Sequence, residues 1–386
     1  MLNQPEPACL VIADISGYTG YLAGVELDHA QDILADLMST VVTALRPTLR
    51  LSKLEGDAAF AYVVTEAIDP SLLQDVVERT YFAFRRRLRD IGQASTCDCD
   101  ACTRMPVLDL KVVAHHGTVI RQRIAGHEEL VGADVIVVHR LLKNHVDETL
   151  GFKAYALYTD ACVRAMGADP VAMGLREHRE MLDVGGETIC WVRDLDAAWL
   201  DEQDRKRVLV TDSEAALTIA YEVPVAPAVA WEWVTSPIRR PVWGPGITEI
   251  VESSPTGRRG AGTTNHCMHG KDAIVEEILD WRPFDYLTSR SAMPDPSLPK
   301  VVMTDAFVPL ANGGTRVEIR VLKPKPRERE AFEAFRPMLE GMIAGSGEHL
   351  RQLLSEPKVT GAVAADSDPV EEPVVEASKG RHLLAS

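Results

Sequence analysis

Apolar residues recur at two spacings along this chain, and each change of spacing marks a change of element. Apolar runs of strand length stand at residues 8–13 and 58–63, and a further strand reads at residues 108–114. A continuous apolar run bounded by turn residues suits a strand buried on both faces. Between these runs the period lengthens to that of a helix. Residues 27–38 repeat at helical spacing, and so do residues 70–91, where Leu72, Leu73, Val76, Val77, Tyr81 and Phe82 share one side. Both stretches therefore predict amphipathic helices. Residues 136–144 predict a third, with Arg140 one turn beyond Ile136. Residues 178–192 read as a hairpin turning at Gly185 and Gly186. Strand, helix, two strands, helix, strand is the order of an α+β ferredoxin-like sheet.

Beyond residue 200 the pattern starts afresh. Residues 201–207 are almost all charged, which suits a linker. Residues 216–223 alternate as a strand, and Pro227 and Pro237 bracket a short helix. Strands follow at 262–270, 273–281 and 314–321, and a helix from about Arg327 to Leu354 closes the pattern. This order, together with Ala230, Trp231, Trp243, Gly260, Gly262, Glu276, Trp281 and Phe284, resembles the START-like, polyketide-cyclase-related (SRPBCC) superfamily. The resemblance implies a helix-grip fold whose long helix lies across a curved sheet and leaves an apolar cavity for a hydrophobic small molecule. Trp243, His266, Met268, His269 and Trp281 are the candidates to face it. No acid–base pair of catalytic spacing stands out, so this half reads as a binder. The expected division is 1–204, 205–355 and a disordered acidic tail at 356–386, where Pro, Val, Ala, Asp and Glu dominate without periodicity.

The chemistry concentrates in the first half. Asp14 closes the first apolar run, and Asp57 precedes the second. Two carboxylates on neighbouring strands suit Mg²⁺ or Mn²⁺, hard ions that keep further positions for water and phosphate. Three segments then read in order: Ile12-Ala13-Asp14-Ile15-Ser16-Gly17-Tyr18-Thr19, Lys53-Leu54-Glu55-Gly56-Asp57, and Gly132-Ala133-Asp134-Val135 leading to Arg140-Leu141. Together they resemble the catalytic domain of class III adenylyl and guanylyl cyclases. That resemblance implies a metal site from Asp14, Asp57 and the Ile15 carbonyl, a purine-reading pair in Lys53 and Glu129, and Arg140 as the cation that steadies the reacting phosphate. It also implies assembly as a homodimer. One departure stands out: Ile136 occupies the position of the family's ribose-orienting asparagine and has no polar atom in its side chain. Tyr155 stands where the family places a lysine for the terminal phosphate, with Lys153 near but out of step.

Cys97, Cys99 and Cys102 lie within six residues. They allow a bound Zn²⁺ or iron–sulfur species, a redox-sensitive loop, or no special role; for a metal, the fourth ligand is expected from His115, His116 or another subunit. Seven cysteines without a secretory signal suggest a reducing cytoplasm. A net charge of -16 over 386 residues argues against nucleic acid or an anionic membrane as partner, and no apolar run is long enough to span a bilayer. Three functions fit. One is a nucleotide- and metal-binding protein with weak or absent cyclase activity and a hydrophobic effector. The second is an active cyclase for a nucleoside triphosphate. The third is a lipid or polyketide carrier that uses the cyclase fold as scaffold.

Overall fold

A computed structural model describes residues 4–94, 99–124, 127–183 and 186–356. The proposed tail from residue 357 onward, Cys97 and the Gly185 half of the hairpin turn lie outside them.

In the first half, β1 (Glu6–Ser16) leads through α1 (Tyr18–Leu22) into α2 (Leu27–Leu45), then β2 (Arg50–Glu55), β3 (Ala58–Val64) and α3 (Pro70–Ala94). After α4 (Asp100–Arg104) come β4 (Asp109–Ile124) and β5 (His127–Val131), then α5 (Ala133–Arg140) and α6 (Val146–Leu150). The unit ends with β6 (Tyr155–Thr159), α7 (Asp160–Met166), β7 (Arg176–Leu182), β8 (Gly186–Asp194) and α8 (Leu195–Asp204). The sheet order is β2-β3-β1-β4-β6-β8-β7, with β5 paired to the far part of β4. Its first four strands, all antiparallel, are a ferredoxin-like core, and β6 extends it in parallel to β4.

Strand β1 is buried on both faces, which accounts for its continuous apolar run. Cys9, Val11, Ala13 and Ile15 point into one core with α2 and α3 residues, whereas Ala8, Leu10 and Ile12 point into a second with Val138 and Leu141. The third predicted helix needs correction. It begins at Ala133 and ends at Arg140 instead of running from 136 to 144, because its Gly132-Ala133 start is anchored to β4. Gly132 has φ 152°, and a Cβ there would sit 2.9 Å from the Thr118 carbonyl.

The second half is a meander of antiparallel strands: β9 (Ala215–Val223), helices α9 (Pro227–Thr235) and α10 (Arg240–Trp243), then β10 (Glu249–Ser253), β11 (Thr264–His269), β12 (Asp272–Arg282), β13 (Tyr286–Ala292), β14 (Val301–Pro309) and β15 (Thr315–Leu322). β9 closes the far edge against β15, and α11 (Arg329–Leu354) crosses the concave face. This is the helix-grip arrangement. Gly347 of α11 lets the helix approach β9, since a Cβ there would lie 2.4 Å from the Tyr221 ring.

Buried charge joins the two halves. Arg258 pairs with Glu78 at 2.7 Å, Arg259 with Asp69 at 2.6 Å, and the Trp281 indole donates to Asp75 at 3.1 Å. Each of these residues except Asp69 is largely withdrawn from solvent, and Glu78 is shared between Arg258 of the second half and Arg193 of the first, at 3.1 Å.

Candidate functional site

The cyclase-like residues gather at one end of the first sheet. Asp14 lies at the end of β1, and the tight turn at Gly56, with φ 70°, delivers Asp57 beside it. The Ile15 N–H donates to the Asp57 carbonyl at 3.0 Å and ties the turn to β1. Burial pushes the Asp57 carboxyl above its ordinary pKa and the Asp14 charge adds to the effect, while Lys111 opposes both. The carboxylates are thus close enough to repel. Lys111, opposite Asp14 in the β1–β4 register, places its ammonium 3.0 Å from Asp14 Oδ2 and also donates to the Leu142 carbonyl at 3.0 Å. The donor set fits a hard divalent ion in type and charge, but Lys111 already neutralises part of it. Sequence reasoning passed over this lysine, although its position in an otherwise apolar strand core was a signal.

Lys53 and Glu129, 76 residues apart, meet at 3.4 Å. Each retains partial exposure, and Lys53 also lies 3.2 Å from Glu55. Burial works against the Lys53 ammonium, but Glu55 and Glu129 outweigh it and hold its pKa above the ordinary lysine value. Glu55 in turn accepts from His139 on α5 at 2.9 Å. Arg140, at the C-terminus of α5, has its Nη1 buried without a hydrogen-bond partner among the described residues. A buried guanidinium N–H without an acceptor costs free energy unless a ligand supplies one. Ile136 on the same helix is 55% exposed. Tyr155 is buried and donates to Asn144 at 2.9 Å, so its hydroxyl is occupied, whereas Lys153 is exposed.

The two histidines proposed as the fourth ligand of the cysteine cluster are elsewhere. His115 bonds to Thr159 at 2.8 Å and Asp134 at 3.1 Å, and burial lowers its pKa against the pull of Asp134. His116 bonds to the Thr65 carbonyl at 2.9 Å. Asp134 also accepts from the Thr118 N–H at 2.6 Å, and it fits because Gly117 has no Cβ, which would overlap its carboxyl group. These contacts fasten α5 to β4. The histidines are strand residues with partners of their own, and the imidazole that lies beside Cys99 and Cys102 is that of His29.

Under α11 the second half holds a partly open cavity of ≈ 180 Å³. Trp243, His269 and Trp281 line it as anticipated, but His266 and Met268 do not. On β11 the side chains alternate, so Asn265, Cys267 and His269 face inward and the even positions face out. The cavity also holds polar groups that the sequence reading missed. Arg240 grips Glu276 through contacts of 2.9 and 3.3 Å, and Asn265 donates to Glu276 at 2.9 Å. Asp305 lies nearby, its pKa pushed up to about 7 by burial and by the Glu276 charge against the pull of Arg240. Asp305 Oδ1 and Asn265 Oδ1 are buried without partners among the described residues. Glu276 and Asp305 stand on strands that do not alternate cleanly between apolar and polar residues, so the sequence alone does not show that they face inward.

Comparison with known proteins follows the same division. Residues 34–150 match a family described as a protein of unknown function (DUF2652), and residues 214–355 match the family described as polyketide cyclase / dehydrase and lipid transport. An uncharacterized protein of Mycobacterium tuberculosis, Rv2561/Rv2562, is 39% identical over 113 residues, 29% of this chain. The chain spans about half, 52%, of that curated relative's length. Solved structures that resemble the chain include the guanylyl cyclase Cya2, with 15% identity, TM-score 0.36, and 50% of this chain and 93% of that one covered. The adenylyl cyclase CyaB from P. aeruginosa aligns with 13% identity and TM-score 0.34 over 50% of this chain and 97% of its own. The guanylate cyclase domain of RhGC from Catenaria anguillulae, solved with GTP, aligns with 15% identity and TM-score 0.35 over 50% and 98%. The fold assignment rests on the strand order described above. Among the described residues no helix is long and apolar enough to cross a membrane.

Proposed function

We propose that this chain is a cytoplasmic two-domain sensor whose cyclase-like half binds a nucleoside triphosphate with Mg²⁺ or Mn²⁺, and whose START-like half binds a hydrophobic small molecule. The observation that carries the first part is the meeting of Lys53 and Glu129 from distant strands beside the Asp14–Asp57 end of the sheet. An ammonium donates to a ring nitrogen or carbonyl, and a carboxylate accepts from an amino group, so such a pair can read a purine edge. Arg140 would direct its Nη1, unpartnered among the described residues, to a phosphate oxygen. A divalent ion held by Asp14 and Asp57 would neutralise the triphosphate.

Two features argue for binding with little turnover. Ile136 offers the ribose no polar contact, and Lys111 competes for Asp14. In the second half, an apolar cavity with a few fixed polar groups suits an apolar ligand carrying one polar end. A homodimer through the cyclase-like half would bring the pieces of two sites together.

Titrating the purified protein with ATP or GTP in the presence of Mn²⁺ tests this reading. Saturable binding is expected, weakened at least about tenfold by Arg140→Ala or by Asp14→Asn with Asp57→Asn, since each removes a charge-assisted contact. Little or no 3′,5′-cyclic product should form. Binding unchanged in these variants removes the site assignment and leaves the scaffold reading, whereas rapid cyclic-product formation makes the protein an active cyclase.

A further inference from the structure

We propose that Cys99, Cys102 and His29 form a Zn²⁺ site that clasps the start of α2 to α4, independently of any nucleotide. Cys99 is the N-cap of α4, Cys102 lies within it, and His29 stands in the first turn of α2. Their ligand atoms all fall within 4.8 Å of one another. His29 Nδ1 is 3.3 Å from Cys99 Sγ and 3.9 Å from Cys102 Sγ. In a tetrahedral site with Zn–S of about 2.3 Å and Zn–N of about 2.0–2.1 Å, nitrogen and sulfur ligands stand roughly 3.5 Å apart. The two observed separations bracket that value. Two thiolates and one imidazole are the donor set Zn²⁺ prefers over Mg²⁺ or Ca²⁺.

The surroundings already hold the ligands near each other. Tyr21 donates to the Ala101 carbonyl at 2.8 Å, the Ala101 N–H donates to Glu26 at 3.2 Å, and Arg104 donates to the Gly24 carbonyl at 2.8 Å. This seats the turn carrying both cysteines on residues 21–29, so little chain entropy remains to be lost on binding. Among the described residues no disulfide joins two cysteines. Three protein ligands leave one position of the tetrahedron for another donor or water. The consequence is local. A metal here would hold the segment that follows Asp14 against the turn before β4, where the chain already packs so tightly that a Cβ on Gly17 would lie 2.9 Å from the Val107 carbonyl.

The test uses the full chain purified without chelator and measures metal by elemental analysis, followed by Co²⁺ titration of the chelator-stripped protein. About one Zn²⁺ per chain is expected, and Co²⁺ should bring up a thiolate-to-metal absorption band. His29→Ala should weaken metal affinity at least about tenfold, and Cys99→Ser with Cys102→Ser should abolish both the Zn²⁺ and the band. Removing the metal should lower the thermal midpoint of the wild type and leave that of the double variant unmoved. A wild-type protein that neither carries Zn²⁺ nor develops the Co²⁺ band overturns the proposal. So does an iron chromophore, or a His29→Ala protein that binds metal as tightly as the wild type. Because the Co²⁺ titration is done on the wild type, a variant that fails to fold does not shield the proposal.

Discussion

At the level of single residues, Ile136 and Arg140 share a helix and carry opposite implications. Arg140 keeps a buried N–H without an acceptor among the described residues, which under the proposed function would meet a phosphate oxygen, while Ile136 presents 55% of its surface where the cyclase resemblance calls for an amide. Replacing Ile136 by asparagine should therefore help, because it adds a donor and an acceptor without adding charge or filling buried space. Removing one preorganised polar contact of this type typically costs about two to three orders of magnitude in rate. Any cyclic-product formation by the wild type should accordingly rise in Ile136→Asn by at least about tenfold, read as product formed per enzyme at saturating nucleotide. A rate left unchanged or lowered would mean that α5 does not present this position to the ribose. Lys111 bears on the same comparison: its contact with Asp14 persists in the variant and sets a ceiling on the gain.

Among the elements, α11 shows how one missing side chain determines a packing distance. Two of its glycines face different surroundings: Gly347 is buried against Tyr221, while a Cβ on Gly345 meets nothing within 4 Å. Alanine is the better helix former by about 1 kcal/mol, and that gain applies at both positions. At Gly347 it is opposed by overlap with a ring on a sheet strand, an overpacking that typically costs about 1–3 kcal/mol. Gly345→Ala should raise the thermal midpoint slightly and Gly347→Ala should lower it. Equal shifts of the same sign would show that the helix is free to lift from β9. Both glycines look alike in the sequence, since each interrupts the helical period and each flanks Ser346. The contact that separates them comes from a strand more than 120 residues earlier.

For the whole molecule, the contact between the halves carries a titration. Asp75 on α3 is 1% exposed and faces Trp281, Arg258, Arg259 and Glu78. Burial raises its pKa to about 7, with Arg258 pulling the other way and the Glu78 charge adding to the rise. A carboxyl whose folded pKa exceeds its unfolded value binds more protons when folded, so its contribution favours stability at low pH and declines as pH rises toward the folded pKa. The slope from one such group is at most about 1.4 kcal/mol per pH unit. Glu78 acts in the opposite sense: burial raises its pKa, but Arg258 and Arg193 overcome this and hold it low. Comparing wild type with Asp75→Asn isolates the first effect. Between about pH 4 and pH 7 the wild type should lose stability relative to the variant, measured by thermal or denaturant unfolding. Parallel curves would mean that Asp75 is not buried against the second half in solution.

Much of the architecture was legible in the order of the residues because it follows from periodicity. A period of two or a continuous apolar run marked β1, β3 and β9, a helical period marked α2, α3 and α11, and prolines marked the ends of α9. The pairing of Lys53 with Glu129 was anticipated only through resemblance to a known family, since nothing local relates residues 76 positions apart. Tertiary structure alone decided the rest. It put Lys111 beside Asp14, chose His29 over His115 and His116 as the neighbour of the cysteines, turned His266 and Met268 away from the cavity, and set Glu276, Asp305 and Arg240 inside it. Each of these outcomes depends on which strand lies next to which and on the face a side chain occupies. Periodicity reports that a face is buried, but the partner across it is supplied by register and chain crossing, which no single stretch of sequence contains.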